Sequence, residues 1–500
     1  MTIQYLKQKF PPPPFDVEVD YMQYYRDLYD GNHENIFPRA QELANQTQQI
    51  TKPKISRARR RYYKGYASQN KGLAQYHYVV VNFAPVIAEL PADLLNRSLG
   101  NISADSETDK GLLEIIPDIV KRSKIKETMW GTTVQHQVDG GVAYRIRRGE
   151  AGTWFEWKLA DLYFPHEDGL GADLAWKEER GEQTFLRVER QRLENSQLAI
   201  NQLVFLLEHD VVDKELNIKD YATQFGIEIP EAQTLKLNEL MCGFIPNDET
   251  LLHPKGRSGL RNIDSIQEEI NWTITRDSIV FEKHGKPKLA IPKALWDSVA
   301  KQNQTYYGER FVRNADLEVV SYNEQNGAVP MYITWDAKTE SSFKHVQRLI
   351  DYMMAISKTS PQAVGLKEAN GESGIALLYL WIQSVIKGES IKDKFDSGIK
   401  DAIRKCILLE NALGGTNYPV VDPVIEWGDM VPKAEGERDK EEGEKYEKGV
   451  QSLETTIRNI HPDWSEKAIQ VEVKKVQEEQ AIDSFSPLYA QPPKTTIPEE

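Results

Sequence analysis

"NIDSIQEEINWTITRDSIVFEKHG", residues 262–285, sets Ile263, Ile266, Ile270 and Ile274 three or four residues apart, which predicts one apolar stripe along an α-helix. Ser265 and Glu268 have the spacing of a capping box at its start. A second helix is expected in "DAKTESSFKHVQRLIDYMMAISKTS" (336–360), with Phe343, Val346, Ile350, Met353 and Met354 as its stripe and Pro361 just beyond it. Between the two, from about Lys286 to Thr334, lies a short mixed segment rich in Pro and Tyr, with β-like runs such as "DLEVVSY". The unit is therefore helix, small mixed module, helix.

Downstream, "GLKEANGESG" (365–374) places Gly365, Gly371 and Gly374 ahead of the apolar run "IALLYLWIQSVI". A glycine-rich loop opening a helix is the general form of a phosphate cradle, but the Gly-Lys-Ser/Thr of a P-loop is missing. A dinucleotide fingerprint fails on spacing, and Glu368 and Glu372 would oppose a phosphate. The loop reads instead as a helix connection. A long helix is expected over Ile375–Asn411, marked by Gly388 and Gly398 and closed by Gly414 and Gly415. Beyond the strand-like "YPVVDPVIEWGDMVP", the charge run "KAEGERDKEEGEKYEKG" and residues 452–480 predict a small charged helical module.

Upstream, residues 1–20 read as a stiff, extended tail because of Pro11–Pro14. "VDYMQYYRDLYDGNHENI" reads as a helix with Tyr21, Tyr24, Tyr25 and Leu28 on one face. "YHYVVVNFAPVIAELPADLLNR" reads as a short strand, then a helix from about Pro85 that Pro91 cuts. From about Gly140 to Leu207 the period changes to two, which predicts antiparallel strands. Helical stretches on either side make the class α+β.

With 500 residues, 40% hydrophobic and 28% charged, the chain has length for two to four domains. Its net charge of −14 confines any nucleic-acid contact to local basic positions. Arg57, Arg59, Arg60, Arg61 and Lys64, with Lys52 and Lys54, are the densest such cluster, interleaved with Tyr62, Tyr63 and Tyr66. They read first as a solvated helix face or an intersubunit strip, with DNA as the alternative partner. Two cysteines, Cys242 and Cys406, exclude a disulfide framework or Cys-based zinc site; Cys242 is expected to be packed. No HExxH or G-x-S-x-G pattern is present. "HEDGLGAD" (166–173) departs from EF-hand spacing and reads as a polar turn, with a metal near His166–Asp173 as the alternative. The N-terminus lacks the layout of a signal peptide and no run is long enough to span a bilayer, so synthesis in the cytosol and no membrane partner are expected. No catalytic residue, metal or cofactor is assigned.

The order of parts resembles the portal proteins of tailed bacteriophages, the head-tail connector rings at one capsid vertex. "YYRDLYDGNH" is similar to the family's early Tyr-x-x-Leu-Tyr-x-Gly segment, "VVVNFAPVIAELPADLLN" to its V-N segment entering a helix, and "SGIALLYLWIQSVIKG" to its S-G-x-A-L entry into the helix after the tunnel loop. The likeness is nearest to portals of long-tailed phages of Gram-positive hosts. It implies a tail at 1–20, a wing over 21–261 and 375–432, stem helices at 262–285 and 336–357, a clip at 286–335, a tunnel loop at 358–374, a crown at 433–481 and a tail at 482–500.

What the resemblance implies for function is a non-enzymatic homo-oligomeric ring, typically of twelve subunits, located in the virion after assembly in the host cytoplasm. Double-stranded DNA would pass through its channel during packaging and ejection. The terminase large subunit, head-completion and adaptor proteins, and major capsid and scaffolding proteins would be its partners. Lys358, Thr359, Gln362, Lys367 and Asn370 would line the tunnel loop. A sliding channel cannot hold many phosphates tightly, since each contact adds a salt-dependent hold, and a ring multiplies each residue into a belt. The competing expectations are a cytosolic DNA-processing enzyme using the basic 52–64 cluster and an unrecognised carboxylate site, and a different ring-forming or scaffolding virion component.

Overall fold

The chain mixes helices with mainly antiparallel sheet, an α+β protein. The computed structural model describes residues 3–48, 78–104, 110–284, 288–293, 318–322, 331–333, 339–367, 374–431, 435–461, 464 and 466–484. Two units are distinguished, Met1–Glu368 with Leu380–Met430, and Ala369–Tyr379 with Val431–Glu500.

Helices α1 (Phe15–Tyr29) and α2 (Pro38–Gln48) come first, then α3 (Ala84–Ser98) and strand β1 (Leu99–Ser103). Helices α4 (Lys110–Ser123) and α5 (Ile125–Asp139) precede the sheet region. Its strands are β2 (Gly141–Gly149), β3 (Gly152–Leu159), β4 (Tyr163–Pro165), β5 (Gly171–Arg180), β6 (Gln183–Glu194), β7 (Gln197–Glu208) and β8 (Val211–Leu216). Helix α6 (Ile218–Phe225) and strands β9 (Gln233–Leu235) and β10 (Cys242–Pro246) follow. The second half carries α7 (Asp264–His284), β11 (Lys288–Pro292), β12 (Glu318–Tyr322), β13 (Met331–Ile333), α8 (Thr339–Ile356), α9 (Gly374–Gly414) and β14 (Val424–Trp427). Helices α10 (Glu435–Glu447), α11 (Leu453–Ile460) and α12 (Glu466–Ser484) belong to the second unit.

Strands β4 to β8 form one antiparallel sheet in sequence order, with β9 on β7. The turns at Asn195–Ser196 and His209–Asp210 hold both residues at positive φ, the twist-matched geometry of two-residue hairpins. A second sheet runs β10–β2–β3. Its inward residues Val142, Tyr144, Ile146 and Phe155 meet Ile116 and Ile119 of α4 and Phe395, Ile399 and Ile403 of α9 in the largest core cluster. Helix α9 has 41 residues, about 60 Å at 1.5 Å per residue. A Cβ on Gly398 would stand 2.2 Å from Ile245 Cδ1, so that glycine lets α9 lie close against β10.

Helices α7 and α8 are antiparallel: Ile270 shares a buried cluster with Met353 and Met354, while Asp277, a turn or two further along α7, accepts a hydrogen bond from Ser342 near the start of α8. Between them in sequence, β11 pairs in parallel with β12 and antiparallel with β13, a small mixed sheet at the place where a mixed module was expected. In the second unit, Ser452 caps α11 by accepting from Thr455 N, and Ile457 and Ile469 are buried.

Several expectations need correction. The N-terminal stretch is no free tail: Tyr5 and Phe10 are buried with Phe164 and Phe205 of the large sheet, and α1 already begins at Phe15. Burial of these aromatics outweighs the local stiffness of the proline run. Pro91 does not cut its helix, which continues to Ser98. Ile87, Ala88, Ala92, Leu94 and Leu95 are all buried, and packing on that scale offsets one lost hydrogen bond. Residues 78–83 form no strand. The capping box at Ser265 does not form either; Ser265 lies inside α7, and Glu268 accepts from Arg39 N at 3.3 Å. Phe343 is 60% exposed rather than part of a buried stripe.

Candidate functional site

The described part of the segment joining α8 to α9, residues 357–367, is a series of tight turns. Helix α8 ends as Ser357 N donates to Met353 O and Thr359 N to Met354 O. Lys358 takes a left-handed conformation, φ +54, which turns the backbone back toward α9. Thr359 is buried, and its hydroxyl accepts from Ser357 Oγ at 3.0 Å. Ser360 N donates to Ser384 Oγ of α9 at 2.7 Å, which ties the turn to that helix. Gln362 is half-buried, its carbonyl accepting from Gly365 N. Lys367 pairs with Asp351 of α8 at 2.9 Å.

The sequence-selected tunnel residues therefore occupy different settings. Lys358 is exposed, Lys367 has an acidic neighbour, and Thr359 faces inward. Asn370 lies outside the described residues, as do Arg57, Arg59, Arg60, Arg61 and Lys64 of the basic cluster.

Two groups of side chains were not singled out from sequence. The first fixes residues 78–83 against α7. Phe83 N donates to Gln267 Oε1 (3.0 Å), Val81 N to Asn271 Oδ1 (3.0 Å) and Val79 N to Thr275 Oγ1 (2.9 Å). Gln267 Nε2 returns a bond to Val81 O at 2.6 Å. Alternate N–H groups of an extended chain thus meet side chains four residues apart on a helix. The readable signal was polar residues at 267, 271 and 275 beside the apolar stripe. Asn82 completes the entry to α3, bonding Leu28 O and Tyr29 O and accepting from Ala84 N.

The second group lies beside Lys358. A recess of about 250 Å³ is bounded by Ser357 and Lys358, by Lys387 and Ser390 of α9, by Arg261 and Asp248, and by Gln137 of α5. Lys387 Nζ donates to Ser357 O at 3.2 Å. Burial, with Arg261 and Lys358 nearby, lowers the Lys387 pKa to about 8. Among the described residues on the wall the one carboxylate is Asp248, held by both Arg257 and Arg261 at 2.7 Å.

The "HEDGLGAD" stretch is a turn between β4 and β5 whose acid is fully engaged. Asp173 accepts from Tyr5 Oη (3.0 Å) and from Arg190 Nε and Nη2 (3.0 and 2.8 Å), with His166 Nε2 at 3.0 Å. Burial alone would raise its pKa; the bonds from His166 and Arg190 hold it below the usual aspartate value. Among the described residues, no group of three His, Cys, Asp or Glu side chains could hold a metal ion, and no helix is long and apolar enough to cross a membrane. Cys242 and Cys406 are buried, and burial pushes the Cys242 thiol up to about 12, far from thiolate chemistry at neutral pH.

No protein-family model matches the chain, and no curated protein is significantly similar to it.

Proposed function

We propose that this chain is the subunit of a phage portal ring, a non-enzymatic conduit for double-stranded DNA at a capsid vertex. The observation that carries the proposal is the antiparallel pair α7 and α8 with a small mixed sheet between them in sequence, then tight turns over residues 357–367 and, further along, a 41-residue helix. In a portal subunit these parts are the stem, the clip, the tunnel loop and the long wing helix. The charged three-helix module at the C-terminus corresponds to the crown.

Exposed apolar side chains support assembly. Phe281, Phe343, Tyr352 and Ile356 on α7 and α8, and Ile382 and Ile386 on α9, are exposed. Large apolar side chains concentrated on neighbouring elements favour burial against another molecule. A closed ring of identical subunits buries every copy of such a surface. The terminase, adaptor, scaffolding and capsid proteins would then bind the finished ring, and the protein would reside in the virion.

Negative-stain microscopy of the purified chain tests the proposal. The expected images are rings of roughly a dozen subunits with a central hole. A protein that stays monomeric or dimeric overturns it, and nuclease or other DNA-processing activity would favour the enzyme alternative.

A further inference from the structure

We infer that the recess between the turn at Ser357–Lys358 and helix α9 is a binding site for a phosphate oxyanion. Its walls bring three cationic side chains together, Lys387, Lys358 and Arg261. They come from three separate parts of the chain, so their meeting is a product of the fold and not of a basic run in the sequence. Among the described residues that line it, the one acid is Asp248, which already carries two arginines, so these residues are net positive.

The ammonium of Lys387 is the central group. It is closely surrounded by protein although the residue as a whole keeps some exposure, and it donates to one backbone carbonyl, Ser357 O. An ammonium has three donors, so it can offer further hydrogen bonds to a ligand. Like charges grouped in a covered site raise its free energy, and a bound dianion would reverse that sign. At about 250 Å³ the recess is smaller than the roughly 300–1,000 Å³ clefts that hold drug-sized ligands, so an ion or one phosphate group fits better than a larger molecule. Two ammoniums, with the Asp248-paired guanidinium of Arg261 beside them, suit a dianion better than a singly charged carboxylate.

The inference rests on residues of a single chain and not on the portal proposal, although Ile356 and Ile386 of the proposed ring contact also line the recess. Calorimetry with inorganic phosphate on the full-length protein at pH 7 tests it, with acetate as the comparison anion. Saturable phosphate binding is expected, weakened tenfold or more in Lys387→Gln and largely restored in Lys387→Arg, with thermal unfolding confirming that both variants are folded. Absence of saturable binding, equal binding by Lys387→Gln, or acetate binding as tightly as phosphate overturns the inference. A duplex oligonucleotide added to the phosphate-loaded protein separates the sources. Competition assigns the site to DNA backbone phosphate, and its absence assigns the site to free phosphate; either outcome upholds the phosphate chemistry.

Discussion

Asp173 and Lys387 are both charged groups removed from water, and their surroundings are opposite. Asp173 sits across from Arg190 in the β5–β6 register and also meets Tyr5 and His166, so partners offset its loss of hydration. Lys387 has one carbonyl acceptor and two cationic neighbours. A charge buried among partners is offset within the fold, whereas a charge grouped with its own kind carries a penalty that a bound anion would relieve.

The largest test of that contrast is Asp173→Ala. It leaves Arg190 and His166 facing a gap and should cost on the order of 3–5 kcal/mol, read as a fall in urea midpoint. A loss under about 1 kcal/mol would place the cluster with ordinary surface pairs and break the comparison. In the wild type, the folded aspartate pKa lies below its unfolded value. Its contribution is therefore present above the unfolded aspartate pKa near 3.9 and disappears as pH falls through the lower folded value.

Asn271→Ala comes next. It removes the acceptor of Val81 N and a bond at 2.8 Å to His33 Nδ1. A buried donor left without its acceptor costs about 1–3 kcal/mol, and amide exchange at Val81 should accelerate more than at strand positions of β6. Unchanged exchange there would show that the helix side chains do not hold this segment.

Lys387→Gln should have the smallest effect on stability at neutral pH, neutral or slightly stabilising. Its pH dependence sharpens the contrast. The folded pKa of about 8 lies below the ordinary 10.5, so between these values the unfolded chain binds more protons and wild-type stability rises with pH. The variant should lack this rise. A clear loss of stability in Lys387→Gln at pH 7 would mean that the lysine has a structural role like that of Asp173.

The sequence made the antiparallel sheet and the paired helices legible, because periods of two and of 3.6 survive in strands such as Gln183–Glu194 and helices such as Thr339–Ile356. It misled where local chemistry was overruled by packing, as at Pro91 and in the buried N-terminal aromatics. The recess was the hardest to read. Gln137, Arg261, Lys358 and Lys387 come from four separated stretches, and nothing in the local pattern around Lys387 distinguishes it from a solvated lysine. Lys358 was picked out, but for its place in a loop and not for its neighbours.

The pairing of residues 79, 81 and 83 with 275, 271 and 267 has the character of a vernier scale. Four helical residues advance about 6.0 Å and two extended residues about 6.6 Å, so the two rulers drift apart by roughly 0.6 Å at each rung. Three rungs accumulate about 1.2 Å, which side-chain rotation absorbs, and each further rung would strain hydrogen bonds that tolerate only a few tenths of an ångström. Proline at position 85 offers no N–H for another rung. With its two scales matching over only three marks, the segment has one setting along α7, and that setting places the first residue of α3.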